Sequence, residues 1–383
     1  MYIIIEDDVF ENLEQIDDAF DPRIMAIDHL FDAMIKGKHI VYSDIKNLIK
    51  IKNIEKLGAR TRQYVGWIIK EYAQIYSCKS IITKYLSVST KYKKISEKED
   101  YFEVPLEYVL DIGETKLLTE NESDAKFYQQ LSKYRYKQKQ LNGIFDVCFE
   151  NDSYHGANGV SKIEQLAEGN KIVLCVADTD MDFPGDAKKS TFKGVNGAIK
   201  KAKQRIATDL LDFPVREKEN LFPAMVYSKF TDVPIIRVIS EKYPEDEAIN
   251  NFFDIKDGIK YKKVLNPQEK WKKYYNALMS DCEKENICNK NLGEDDGDKC
   301  YISGIGEKIC DNVAEVLFTG NIKQTREAFN MNDEEATSIC GKRYELLSEM
   351  PDFVKENWKV IAKSLFNWGC CINISRYPAQ RNW

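Results

Sequence analysis

Apolar and polar positions change rhythm along the chain. RQYVGWIIKEYAQIY (62–76) places Val65, Ile68, Ile69, Tyr72 and Ile75 at helical spacing. Residues 1 to about 100 alternate such helical patterns with short apolar runs. KYKKISEKED (91–100) is polar and charged and reads as a linker. From about residue 110 strands and helices alternate. VLDIGETKLLT ends as a strand, SDAKFYQQLSKYRYK reads as a helix, IFDVCFE (144–150) as a strand and GVSKIEQLAE (159–168) as a short helix. KIVLCVAD (171–178) is a continuous apolar run, the pattern of a strand buried on both faces of a parallel sheet. VPIIRVIS (233–240) reads as one more strand. Beyond it the chain is charged and mostly helical, ending in a helix over EMPDFVKENWKVIAKSLFNW (349–368). The alternation predicts an α/β fold with right-handed crossovers and a mostly parallel sheet flanked by helices. Three segments follow: an N-terminal mixed or helical accessory region (1–105), a central α/β domain (106–240) and a mainly helical C-terminal region (241–383).

Composition narrows the class. Of 383 residues, 43% are hydrophobic and 31% charged, ordinary for a soluble globular protein. No apolar run approaches the roughly 18–20 residues that span a bilayer. MYIII is too short for a signal-peptide core and meets Glu6, Asp7 and Asp8 at once, so a cytoplasmic protein without membrane contact is expected. The ten cysteines lack CxxC pairs, and there are only three histidines. That spacing argues against a zinc ribbon and for scattered reduced thiols. LGEDDGDKC (292–300) carries Asp295, Asp296 and Asp298 without EF-hand spacing, and reads as a solvated loop. The net charge of −6 excludes a generic nucleic-acid coat but allows local basic patches around an acidic, cation-filled centre.

The apolar run at 171–178 leads into ADTDMD. If the strand continued, Asp178, Asp180 and Asp182 would project to one side. Ligands of open α/β sheets bind beyond the carboxyl ends of strands. Glu120 also follows a strand, in KLLTENESDAKFY (116–128). Should the two strands be neighbours, Glu120, Asp178 and Asp180 meet at one sheet edge. Carboxylates that close repel one another unless protonated or bridged by a cation. An all-oxygen donor set favours a hard ion, Mg²⁺ or Mn²⁺, suited to phosphoryl chemistry. Taken singly, an Asp or Glu after a strand is a common cap or turn former.

The combined order of strand–Glu, helix, strand, helix and strand–Asp-x-Asp resembles the TOPRIM domain shared by topoisomerases, bacterial primases and the overcoming-lysogenization-defect (OLD) nucleases. The family pattern is Glu-Gly-x-x-Asp after one strand and Asp-x-Asp after a later one. Here TENESDAKFY supplies Glu120 and Asp124, and Asn121 stands where glycine is usual; Asn tolerates a left-handed turn. YHGANGVSKI (154–163) resembles the family's glycine-containing segment. VREKENLFP (215–223) resembles the Arg-x-x-Glu-Asn segment of OLD-like nucleases, with Glu219 as a further metal ligand. The resemblance covers residues 112–239. It implies a TOPRIM-like, Rossmann-type central sheet and a metal-dependent endonuclease of bacterial antiviral defence that cuts DNA or RNA, tRNA included. The site implied is Glu120, Asp178 and Asp180 on one or two Mg²⁺ or Mn²⁺ ions, assisted by Asp124, Asp182 and Glu219, with Lys188 and Lys189 on the phosphate. It also implies regulation by a separate ATPase sensor subunit; this chain has no GxxxxGK[ST].

Basic residues suit that chemistry. KKSTFKGVNGAIKKAKQR (188–205) offers Lys193, Lys200, Lys201, Lys203 and Arg205 to a nucleic-acid backbone, and Arg216 joins them; a solvated helix face is the alternative. KYRYKQKQ (133–140) interleaves Tyr and Lys. KWKKYY (270–275) offers Trp271 and Tyr274 for stacking on bases, or forms a half-buried amphipathic helix. His155 is a candidate acid or base, or a surface loop residue. SGIGEK (303–308) resembles a backbone–phosphate turn. Glu6, Asp7, Asp44 and Asp111 near apolar runs also suit a PIN-like ribonuclease, though a packing or partner-binding module fits that segment better. Two further readings stay open: a non-catalytic TOPRIM-bearing subunit that binds a partner or nucleic acid, and a primase- or topoisomerase-type enzyme. The sequence leaves a homo-oligomer open.

Overall fold

A computed structural model describes residues 1–138 and 143–376. The fold is mixed α/β, with parallel sheets flanked by helices. The described residues form two compact units: those within 1–177, 193–212 and 361–376 build the first, and 178–192 with 213–360 the second.

Two sheets make the first unit. The N-terminal sheet contains β1 (Tyr2–Ile5), β2 (Ile40–Tyr42), β3 (Tyr85–Ser89), β4 (Ser96–Glu97) and β5 (Tyr101–Pro105), in the order β2-β1-β3-β5-β4. All pairs are parallel except the β4 edge. The charged stretch 91–100, read as a linker, therefore supplies an edge strand. Such a short, charged strand protects a sheet edge. Helices Pro22–Ile35, Ile45–Asn53 and Ala59–Lys70 accompany this sheet, the last from the helical pattern at 62–76.

The second sheet uses β6 (Lys116–Thr119), β8 (Glu150–Ser153), β9 (Ile172–Cys175) and β10 (Ala207–Leu210), in the order β10-β9-β6-β8 and wholly parallel. Helices Glu122–Gln138, Gly159–Leu166 and Ser190–Ala202 follow β6, β8 and β9 in the chain. Every residue of β9 is buried, as its continuous apolar run requires. β8, at an edge, reads Glu-Asn-Asp-Ser and is mostly polar. IFDVCFE divides: β7 (Phe145–Val147) leaves this sheet and pairs antiparallel with a C-terminal strand, Cys370–Ile372.

The second unit is mainly helical. Its helices include Pro234–Lys242, Glu269–Lys284, Glu307–Thr319 and Asp333–Ser348. The segment read as a strand at 233–240 is helical: Pro234 occupies the first turn, where its fixed φ suits a helix start. Ile235, Ile236, Val238 and Ile239 bury one face. An antiparallel pair, β11 (Gly258–Lys260) and β12 (Cys300–Ser303), completes the unit; we call Cys370–Ile372 β13. Trp358 donates its indole N–H to the Leu221 carbonyl at 2.7 Å and packs edge-on against Phe222. Trp271 is buried and stacks on Tyr275, as an amphipathic helix requires. Among the described residues, no helix is long and apolar enough to cross a membrane.

Candidate functional site

In the first unit, β6 and β9 lie side by side with Leu118 opposite Cys175. The Val176 N–H donates to the Leu118 carbonyl at 2.9 Å, extending the pairing one residue past β9. The chain then continues from β6 into Glu120, and from β9 through Val176 and Ala177 into Asp178. Glu120 is half-buried. Its backbone carbonyl accepts the His155 N–H at 3.1 Å, so the end of β8 is closed against the end of β6. That closure uses left-handed backbone at His155 (φ 50°) and Gly156 (φ 65°). Gly156 takes such a conformation without steric cost. Asn121, expected to make a left-handed turn, does not. Instead the Thr119 hydroxyl donates to the Asn121 carbonyl at 2.6 Å, and the Asn121 N–H donates to the Asp124 carboxylate at 3.0 Å. Asp124 is thus a buried brace at a helix start. His155 is exposed and its Nε2 lies 3.0 Å from the Ser153 hydroxyl.

The basic helix divides by role. Lys193, Lys200, Lys201 and Arg205 are exposed. Lys203 is bound to Glu97 at 2.8 Å and Asp209 at 2.9 Å. Lys200 and Lys203 line a groove of about 660 Å³ with Lys94, Ser96 and Glu97. In KYRYKQKQ, Lys139 and Gln140 lie outside the described residues.

The second unit holds the Asp-x-Asp stretch, and it is a turn. β9 has already ended at Cys175, so period-two projection does not apply. Thr179 anchors the turn: its hydroxyl donates to the Val215 carbonyl at 2.8 Å, and its N–H to the Arg216 carbonyl at 3.0 Å. Asp180 sits in the left-handed region at φ 51°. Arg216, expected at a nucleic-acid surface, is only 8% exposed. Its guanidinium reaches Asp182 (2.7 Å), Glu217 (2.8 Å) and Asp254 (2.8 Å). Asp182 also takes Lys263 at 2.7 Å and Lys189 at 3.4 Å, and Lys189 bonds Asp186 at 3.0 Å. Lys188 lies over the Phe192 ring.

A second cation is threaded through this cluster. Lys256 Nζ lies 3.0 Å from Glu217, and Glu217, Glu219 and Asp178 together hold its ammonium in the charged form against the opposing effect of burial. Gly304 fixes its backbone: a Cβ there would lie 2.3 Å from the Lys256 carbonyl oxygen and 2.5 Å from that of Ile255. The SGIGEK turn therefore clamps the chain that carries Lys256, and the Gly306 N–H donates to the Lys256 carbonyl at 3.0 Å.

The carboxylates separate electrostatically. Burial pushes Asp182 up, but Lys263, Arg216 and Lys189 outweigh it and hold it below the usual range. Burial and then Glu217 push Asp180 up. The same two causes raise Glu219 to about 7, and its Oε2 is buried without a hydrogen-bond partner. Glu219, 3% exposed, is thus an acid held where a cation or a proton is wanted.

Of the expected ligands, Glu120 and Asp124 belong to the first unit, and Asp178, Asp180, Asp182 and Glu219 to the second. Among the described residues, no three His, Cys, Asp or Glu side chains form a group that could hold a metal ion. Sequence reading missed Lys256, Lys263, Glu217 and Asp254. Their signal was charge set inside apolar sequence, as in NNFFDIKDGI (250–259).

The geometry defines an α/β protein with two adjacent parallel strands in the first unit, β6 leading into Glu120, and a cation-braced acidic cluster in the second unit. No protein-family model, curated protein or solved structure matches the chain.

Proposed function

We propose that this chain is a divalent-cation-dependent phosphodiesterase, a TOPRIM-type endonuclease acting on DNA or RNA. One observation carries the reading: β6 and β9 are adjacent, parallel and in register, and the chain leaves them toward Glu120 and Asp178. The resemblance to TOPRIM nucleases assigns Mg²⁺ or Mn²⁺ to Glu120, Asp178 and Asp180, with Asp124, Asp182 and Glu219 in support. Their chemistry suits a hard ion, and the unpartnered Glu219 oxygen supports a place for positive charge. When bound, such an ion supplies a Lewis acid and an activated water.

The chain's own residues do the rest. Arg216 locks the Asp180–Asp182 turn through three carboxylates. Lys256 neutralises Glu217 until positive charge arrives from elsewhere. Lys193, Lys200, Lys201 and Arg205 attract the phosphate backbone from their exposed positions. Lys188 and Lys189 flank the turn for contact with the scissile phosphate. The resemblance to OLD-like nucleases makes this an antiphage effector in the cytoplasm, paired with an ATPase sensor chain.

A second reading is a non-catalytic subunit that binds a partner or nucleic acid. It is favoured by the same cations, since Arg216, Lys256 and Lys263 already neutralise the second unit's acids. One assay separates the two. Wild type and Glu120→Ala are incubated with plasmid, single-stranded DNA and total tRNA in Mg²⁺, Mn²⁺ or EDTA, alone and with the product of a neighbouring gene. Metal-dependent cleavage by wild type, lost in the variant, supports the enzyme. Binding without cleavage supports the second reading, and equal cleavage by both proteins rules out Glu120.

A further inference from the structure

β7 and β13 form an isolated antiparallel ribbon in the first unit, with Asp146 opposite Cys371 and Val147 opposite Cys370. The pairing continues one step further, where the Cys148 N–H donates to the Gly369 carbonyl at 2.9 Å. Cys148 therefore faces Gly369, and Cys371 lies diagonally across on the same face, two positions along its strand. Gly369 has no side chain, and the Phe149 ring packs over it, 2.3 Å from where a Cβ would lie. Cys371 is the neighbour that acts most strongly on the Cys148 thiol, so the two side chains are close. Cys148 is half-buried, whereas Cys371 is 3% exposed.

We propose that Cys148 and Cys371 are a redox dithiol, converted by a hydroperoxide-class oxidant into a disulfide that staples β13 to β7. Cys148, the more accessible sulfur, reacts first. Its thiolate attacks a peroxide oxygen, the O–O bond breaks, and the leaving hydroxide takes a proton to become water. The resulting Cys148 sulfenic acid is then attacked by the Cys371 sulfur, whose thiol proton passes to the departing hydroxyl. The S–S bond forms as the S–O bond breaks, and a second water leaves. Two thiols have lost two protons and two electrons, and hydrogen peroxide has become two waters.

The neighbouring Cys371 thiol favours the Cys148 anion, the nucleophilic form, and lowers the Cys148 pKa to about 7 against the effect of burial. The remaining half-buried cysteine, Cys300, donates its thiol to the Asp257 carbonyl at 3.5 Å and takes the Lys260 ammonium at 3.7 Å, with no second thiol beside it among the described residues. The staple would close beside Met1, whose ammonium donates to the Cys370 carbonyl at 2.9 Å.

The test uses the full chain, reduced and then exposed to graded hydrogen peroxide. Free thiols are blocked with iodoacetamide and peptides mapped by mass spectrometry with and without reductant. The expected product is a reductant-sensitive Cys148–Cys371 peptide that appears at lower peroxide than any oxidation of Cys300. In Cys371→Ser, Cys148 should instead be trapped by dimedone as the sulfenic acid. In Cys148→Ser, Cys371 should stay reduced. The proposal is overturned if Cys148 and Cys371 both remain alkylatable at a dose that oxidises Cys300. It is equally overturned if the cross-link joins Cys148 to Cys370, or Cys78 to Cys370. Circular dichroism of each serine variant establishes that it is folded, and wild-type mapping decides the matter without them.

Discussion

Two buried carboxylates, Asp8 in the first unit and Glu219 in the second, meet burial with opposite results. Asp8 follows β1, is 7% exposed, and accepts the Ser89 hydroxyl at 2.9 Å, the Thr90 N–H at 2.9 Å and the Thr90 hydroxyl. Burial pushes it up, but these donors outweigh burial and hold its acidity below the usual range. Glu219 has the second cause reversed: burial is joined by Glu217, and its Oε2 lacks a donor. Neutral donors complete the first acid. The second stays incomplete beside a tethered ammonium. An acid with all its donors is architecture, whereas an acid short of positive charge is where a ligand or a proton gains most.

The contrast breaks most visibly at Arg216. Arg216→Ala leaves Asp182, Glu217 and Asp254 buried without their shared cation and should cost about 3–5 kcal/mol, read as a lowered urea midpoint. Gly304→Ala drives a Cβ into the Lys256 and Ile255 carbonyls and should cost about 1–3 kcal/mol in the same assay.

Asp8 and Glu219 should then respond oppositely to pH. The depressed Asp8 contributes stability above its unfolded value of 3.8, lost as pH falls through the folded value. Asp8→Asn should therefore cost about 1–3 kcal/mol at pH 7 and less near pH 3. The raised Glu219 contributes stability below 4.5 that is lost as pH rises toward about 7. Without added metal, Glu219→Gln should stabilise the chain at pH 8 by on the order of 1–3 kcal/mol and do nothing near pH 4. Urea titrations at three pH values check both signs. The smallest effect on stability should come from Lys193, Lys200 and Lys201, which are exposed. Their combined replacement by Ala should change stability by less than about 0.5 kcal/mol yet weaken binding to a single-stranded oligonucleotide at low salt.

Local pattern made part of this legible. β6, β9 and the helices after β6 and β8 follow from apolar runs and their spacing, and the strand adjacency needed at Glu120 and Asp178 is present. The helix at Pro234–Lys242 was misread because a short run of Ile and Val fits either period; the proline at its first turn was the better signal. The Asp180 turn was misread because Thr179 is captured by Val215 and Arg216, from a segment distant in sequence. Arg216 and Lys256 look like surface charges until the fold supplies Asp254, Glu217 and Asp182 around them. Pairings of that kind are tertiary and leave no periodic trace.

The most direct test is a manganese titration of the full chain at neutral pH, following free Mn²⁺ by electron paramagnetic resonance. The account predicts saturable uptake of about one or two ions per chain, lost in Glu120→Gln and Asp178→Asn and unchanged in Asp8→Asn. No uptake by wild type, or equal uptake by wild type and the Glu120 and Asp178 variants, would contradict it.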